Sequence, residues 1–215
     1  MAAQKRALIA LAAVALLAAG CTTKDEGISG GGKVIGRTVT VYSLADDPGG
    51  TSRDFVDAAK LALADAGGRA GELAVNFSSL DLGGGDQKLQ AQAARRAITD
   101  PQIIAAIADA TDVTVPLFNA AGVLQVAASG DPGLATDPHA LPSGTPTVGG
   151  LTTPVPGDFA RRFEDAFDRA PKPSAEAGYR AMAGVLAAIA AAGDGGNDRT
   201  RVIDEYLSPR SSSPM

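Results

Sequence analysis

"TVTVYSLADDPGGTSRDFVDAAKLALADAGGRAGELAVNFSSLD" occupies residues 38–81. Its first seven residues (38–44) are rich in β-branched side chains and bounded by turn residues, which predicts a strand. Thr51 or Ser52 can cap a helix whose Phe55, Ala59, Ala62, Leu63 and Ala66 share one face, and Gly67-Gly68 ends it. "ELAVNFSSL" (72–80) then reads as a second strand. A strand, a helix and a strand in succession make a crossover unit, so the two strands run parallel.

The alternation continues downstream. A helix is expected over about 87–98, with Leu89, Ala93 and Ala97 inward and Arg95-Arg96 near its dipole-negative end. The apolar run "QIIAAIA" (102–108) follows Pro101 and predicts a buried strand. Next come a helix over 113–121, opened by Thr111 or Asp112, and the strand "VLQVAA" (123–128). This order implies a doubly wound α/β fold, a parallel sheet with helices on both faces. Residues 129–150 are rich in turn formers, with one short strand expected near Thr147–Leu151. Three helices close the chain, over 157–169, 174–192 and 197–207. The middle one presents Tyr179, Met182, Val185, Leu186 and Ile189 as an apolar stripe that should pack on the sheet.

Upstream, Lys5 and Arg6 precede thirteen residues, Ala7 to Ala19, without a charged or strongly polar side chain. That is the build of a secretory signal, and it falls short of the roughly 20 apolar residues a spanning helix needs. "LLAAGC" (16–21) resembles the lipobox of bacterial lipoproteins, with Ala18 where leucine is commonest. The resemblance implies that Cys21 is acylated through its sulfur and begins the mature chain. Cys21 is the only cysteine, so it has no disulfide partner within the chain and reads as an anchor. The expected organisation is a signal over 1–20, a Gly-rich tether over 21–36, one α/β lobe over 37–208 and a disordered tail over 209–215. Within the lobe, 37–151 is the early segment and 152–208 the returning helical one.

The formal charge is −5, and losing residues 1–20 removes Lys5 and Arg6 and no acid, giving −7. Such a chain suits phosphate backbones poorly, and no Lys/Arg run interleaved with aromatics is present, so nucleic acid is excluded as a partner. Aromatics make up 4% and Trp is absent, so the core must be built from Ala, Val, Leu and Ile. Catalytic signals are missing. His139 is the single histidine and sits in a Pro-rich loop; there is no zinc set and no phosphate-binding loop, and Gly83-Gly84-Gly85 has no Lys behind it. Gly27–Gly31 fits G-x-S-x-G but lacks the strand before it and the helix after it. Neither an enzyme nor a cofactor is expected.

Residues 41–81, "AARRAITDPQIIAAIAD" (93–109), "PLFNAAGVLQVAASG" (116–130) and the late helices from "FARRFEDAFDRAPKP" (159–173) onward are together similar to the leucine/isoleucine/valine-binding type of periplasmic binding protein. That resemblance covers about residues 38–207. It implies a type I fold, extracytoplasmic location, a small amino acid as ligand and an ABC permease as partner. Between Pro146 and Val155 the sequence omits the stretch that builds most of the family's second lobe, so one lobe is expected. In the family, hydroxyls and backbone N–H groups after the third and fourth strands hold the ligand; here Thr111 and Ser129 are the positions that match. Thr111 also suits a helix cap and Ser129 a turn. With one wall, the monomer is expected to bind an amino acid weakly or not at all. Two other readings remain: a non-transport lipoprotein that uses the lobe as a structural or protein-interaction module, and cation binding through an Asp-rich edge. That edge comprises Asp46, Asp47, Asp81, Asp86, Asp109, Asp112, Asp131 and Asp137.

Overall fold

The computed structural model describes residues 32–46, 51–127 and 148–208. Residues 1–20, Cys21, Asp47, Ser129, Asp131, Asp137, His139 and 209–215 lie outside them. The elements in order are β1 (Thr38–Ala45), α1 (Thr51–Asp65), β2 (Arg69–Ala70), β3 (Leu73–Asp81), α2 (Gln87–Ile98), β4 (Ile103–Ala108), α3 (Thr114–Ala121), β5 (Leu124–Val126) and β6 (Val148–Gly149). The helices α4 (Phe159–Phe167), α5 (Pro173–Ala191) and α6 (Arg199–Leu207) follow. The strands bond in the order β2-β3-β1-β4-β5-β6. All but β2 are parallel. Counting only the parallel strands, chain order runs second, first, third, fourth, fifth across the sheet, which is the doubly wound arrangement expected.

Strand alternation assigns the faces. Val39 and Val41 of β1 join the core under α1, α4, α5 and α6, while Leu44 joins the core under α2 and α3. Central β4 is buried at every residue. Alanine supplies much of both cores, as the composition requires, yet the largest fully buried side chains are Phe118 and Phe163.

Two local features depart from the sequence pattern. β2 folds back antiparallel on the start of β3, with Gly71 at φ 53° in the intervening turn. Two residues carry no periodicity, so nothing in the pattern signals this strand. In α2 the inward face includes Gln90, Ala93, Ala94 and Ala97, and Leu89 is 44% exposed. The apolar expectation for Leu89 is therefore corrected: Gln90 turns in because its amide oxygen accepts from the Thr111 hydroxyl.

The late segment returns to α1. A Cβ on Gly178 of α5 would overlap the Phe55 carbonyl of α1, so only glycine permits this approach. Arg169 donates to Asp54 (2.9 and 3.0 Å) and Asp57 (2.8 Å), and the Lys172 N–H donates to the other Asp54 oxygen at 3.0 Å. The same guanidinium lies over the Phe163 and Phe167 rings. At the other end of α1, Asp65 takes the Tyr179 hydroxyl at 2.8 Å and pairs with Arg162. The link between β6 and α4, residues 150–158, is fastened too: Arg180 donates to the carbonyls of Leu151 and Thr153, and the Tyr206 hydroxyl donates to that of Gly150. Among the described residues there is no second sheet. The tether expected over 21–36 is fixed at its far end, because the Val34 N–H and carbonyl both bond Asn197.

Candidate functional site

In an open parallel sheet a crevice forms beyond the carboxyl ends of the two strands where the winding reverses. Here those strands are β1 and β4, neighbours in the sheet but separated in sequence by two strands and two helices. An open cleft of about 410 Å³ lies there. Its floor comes from Leu44 and Ala45 at the end of β1 with Asp46 beyond it, and from Ala108 at the end of β4 with Asp109 beyond it; its wall comes from Ser52 and Phe55 of α1 and from Pro173, Ser174 and Ala177 of α5.

The α5 wall exists because Asp54 draws in the Arg169 side chain and the Lys172 N–H, setting the first turn of α5 beside that of α1. Pro173 suits this position, since an N-terminal helical residue needs no N–H partner within the helix. Two helix N-termini therefore face one cleft, each carrying partial positive charge. Burial pushes the Asp57 carboxyl up, but hydrogen bonds from Arg169 and Lys60 outweigh it and hold the group below the usual carboxylate range.

Of the residues singled out by sequence, Thr111 stands after β4 but outside the cleft lining, on the α2/α3 side. Its hydroxyl accepts from the Thr114 N–H (3.1 Å) and Val113 N–H (3.3 Å), which caps α3, and lies 3.2 Å from Gln90 Oε1. Thr114 in turn donates to the Asp109 carbonyl, and so does the amide of fully buried Gln125. These bonds brace the loop that carries Asp109. Ser129 lies outside the described residues.

Three of the described aspartates at this edge are engaged with backbone. Asp46 accepts from the Gly84 N–H (2.8 Å), Asp81 from the Gly83 N–H (2.8 Å), and Asp86 caps α2. Among the described residues no group of three or more His, Cys, Asp or Glu side chains is placed to hold a metal ion. The sequence marked none of the helical lining residues, Ser52, Phe55, Pro173, Ser174 and Ala177, as site candidates. Only the expected start of α5 near residue 174 pointed to them, and it does not say which helix lies alongside.

The sheet order, with a cleft at its switch point, defines a doubly wound α/β lobe. Comparison with solved structures identifies the fold as that of the type I periplasmic binding proteins. A leucine-binding protein from Thermotoga maritima matches with a TM-score of 0.59 at 12% identity, over 79% of this chain and 86% of that one. A protein assigned to branched-chain amino acid ABC transport from Rhodospirillum rubrum matches at 0.59 and 13%, over 79% and 88%. A periplasmic ligand-binding protein of a branched-chain amino acid ABC transporter from Burkholderia xenovorans matches at 0.54 and 14%, over 79% and 82%. At these identities the likeness is one of fold. These neighbours are binding proteins rather than enzymes. No protein-family model and no curated protein matches the sequence.

Proposed function

We propose that the chain is a lipid-anchored, extracytoplasmic solute-binding protein of the kind that serves branched-chain amino-acid ABC importers, working with a single lobe. One observation carries the reading: a ligand-sized cleft lies at the switch point of a sheet whose fold matches that of a leucine-binding protein. The lining divides as such a ligand requires. Leu44, Phe55, Ala108, Pro173 and Ala177 suit an aliphatic side chain, the N-termini of α1 and α5 attract a carboxylate, and Asp46 and Asp109 bring negative charge toward an ammonium group. A well-formed site covers roughly 70–90% of its ligand, and one lobe supplies one wall. Binding by the monomer is therefore weak. The signal-like residues 1–20 and the lipobox ending at Cys21 support the anchor and the location. No helix among the described residues is long and apolar enough to cross a membrane.

Thermal melting of the purified protein with each common amino acid, followed by calorimetry, tests this. Leucine, isoleucine or valine at ten times the dissociation constant should raise Tm by roughly 3–6 °C, and charged amino acids should not. A micromolar affinity in the monomer overturns the one-walled site. Silence from every amino acid favours the second reading, a lipoprotein that uses the lobe as an interaction module. The lack of a second wall among the described residues already leans that way. Permease and ATPase genes beside this one would support the first.

A further inference from the structure

The two edges of the sheet differ in charge. Because the strands of the main sheet are parallel, segments leading into a strand lie at its amino edge and segments leaving a strand lie at the cleft edge. The amino edge carries Lys33, Arg37, Arg69 and Arg199, with Arg95 and Arg96 in the last turn of α2 and Arg162 on Asp65, against Asp65 in the last turn of α1 and Glu72, Asp100, Asp194 and Asp198. Glu72 pairs with Arg37 at 2.7 Å, Asp100 accepts from the Tyr42 hydroxyl and Asp198 caps α6; these acids keep their charge, and the cations of this edge outnumber its acids by two. The cleft edge has the opposite balance, with Asp46, Asp81, Asp86, Asp109 and Asp112 against Arg53, Lys88 and Lys172.

Ile35 stands among the cations of the amino edge, 91% exposed. Its exposure is imposed by its neighbours. Val34 is buried, its N–H donates to the Asn197 carbonyl at 2.7 Å and its carbonyl accepts from the Asn197 side chain at 2.8 Å, while the Lys33 backbone pairs with that of Asp198 as an antiparallel β-bridge. With Val34 turned in, the next side chain of an extended segment turns out. An isoleucine held in water between Lys33 and Arg37 packs against nothing in the described fold. At a lipid surface the same pattern buries apolar area and attracts anionic headgroups. Eleven residue steps separate Cys21 from Gly32, so the first described residue lies within about 40 Å of the expected anchor.

We propose that this amino edge, centred on Ile35 with Lys33, Arg37, Arg69, Arg95 and Arg96, docks the lobe on an anionic lipid surface and turns the cleft edge away from the bilayer. The proposal rests on the lipid anchor at Cys21. Each exposed cation beside an anionic membrane contributes about five-fold to binding. Salt removes this contribution.

The test uses the full acylated chain in phosphatidylcholine vesicles made with or without phosphatidylglycerol, carrying Ile35→Cys labelled with an environment-sensitive fluorophore. With phosphatidylglycerol the label should shift to the blue and be quenched by a lipid-borne quencher. Both signals should vanish in 1 M salt, where screening acts within about 3 Å, and should be absent on pure phosphatidylcholine. Arg95→Gln with Arg96→Gln should lower the docked-to-free ratio about twenty-five-fold. The same label at Lys88→Cys, on the cleft edge, should stay in water throughout. An Ile35 label equally wet on both vesicles, or a Lys88 label that senses lipid, overturns the docking face and leaves the anchor intact. A chain that does not float with vesicles at all overturns the anchor and the docking face together.

Discussion

On one face of the sheet α2 and α3 pack over Ile103, Ala106 and Val123, with Phe118 as the one fully buried ring. On the other, α1 packs along α5 and touches α4, while α6 packs on α5 and on the sheet; together the returning helices bring Phe159, Phe163, Tyr179, Met182 and Tyr206 into the core. The first face is sealed by helices that join neighbouring strands in the chain. The second is sealed by residues that return from more than a hundred positions away, and only there do charged groups enter the interior: Asp54 is 2% exposed and Asp57 8%. A face closed by local crossovers needs a hydrophobic pattern and little else, whereas one closed by a returning segment needs devices that fix its docking. Gly178 and the Arg169 clamp are those devices.

The comparison is broken most forcefully at Gly178. Gly178→Leu places a side chain against the Phe55 backbone and should cost about 4 kcal/mol or more, enough to abolish cooperative unfolding in a urea titration followed by circular dichroism. The matched enlargement on the other face, Ala94→Val, overpacks a fully buried position and should cost about 1–3 kcal/mol. Phe163→Ala follows, at about 3–5 kcal/mol from the lost transfer and the cavity. Because it also removes a ring beneath Arg169, it should couple with Arg169→Met in a double-mutant cycle, while Phe118→Ala should add independently.

Arg169→Met alone leaves Asp54 with the Lys172 N–H as its remaining bond to the returning segment and should cost about 2–3 kcal/mol. The acid limb of stability should respond to the same change. Asp57 has a depressed pKa in the fold, so its contribution is complete above the unfolded value of about 4 and drains away as pH falls through the folded value. Urea midpoints measured between pH 6 and pH 3 should fall more gently in Arg169→Met than in the parent. The smallest effect belongs to the local face: Asp86→Ala removes the α2 cap for about 1 kcal/mol, read as a lowered Tm.

Much of this was legible before any coordinates. α2 runs over the residues its periodicity predicts, and the Tyr179–Ile189 stripe of α5 is buried throughout. That β1, β3 and β4 run parallel follows from the alternation; that β1 lies between the other two does not. What the pattern does not carry is long-range pairing. That Gln90 rather than Leu89 turns inward depends on Thr111, 21 residues on. That the cleft has an α5 wall depends on Arg169 meeting Asp54, 115 residues earlier. A period of 3.6 says which face of a helix is apolar; it does not say which helix that face meets. The candidate site suffers most from this, because half of its lining comes from two helices whose adjacency is fixed by a single glycine and one guanidinium.

The fastened link at residues 150–158 has a consequence for how such lobes are elaborated. β6 delivers the chain to the same rim as the cleft, and Arg180 and Tyr206 hold the next few carbonyls before the backbone enters α4. A module grafted into the later part of that stretch would overhang the cleft like an awning while the moorings behind it stayed tied. Lengthening that later part should therefore leave the Arg180 and Tyr206 bonds, and the packing behind them, in place.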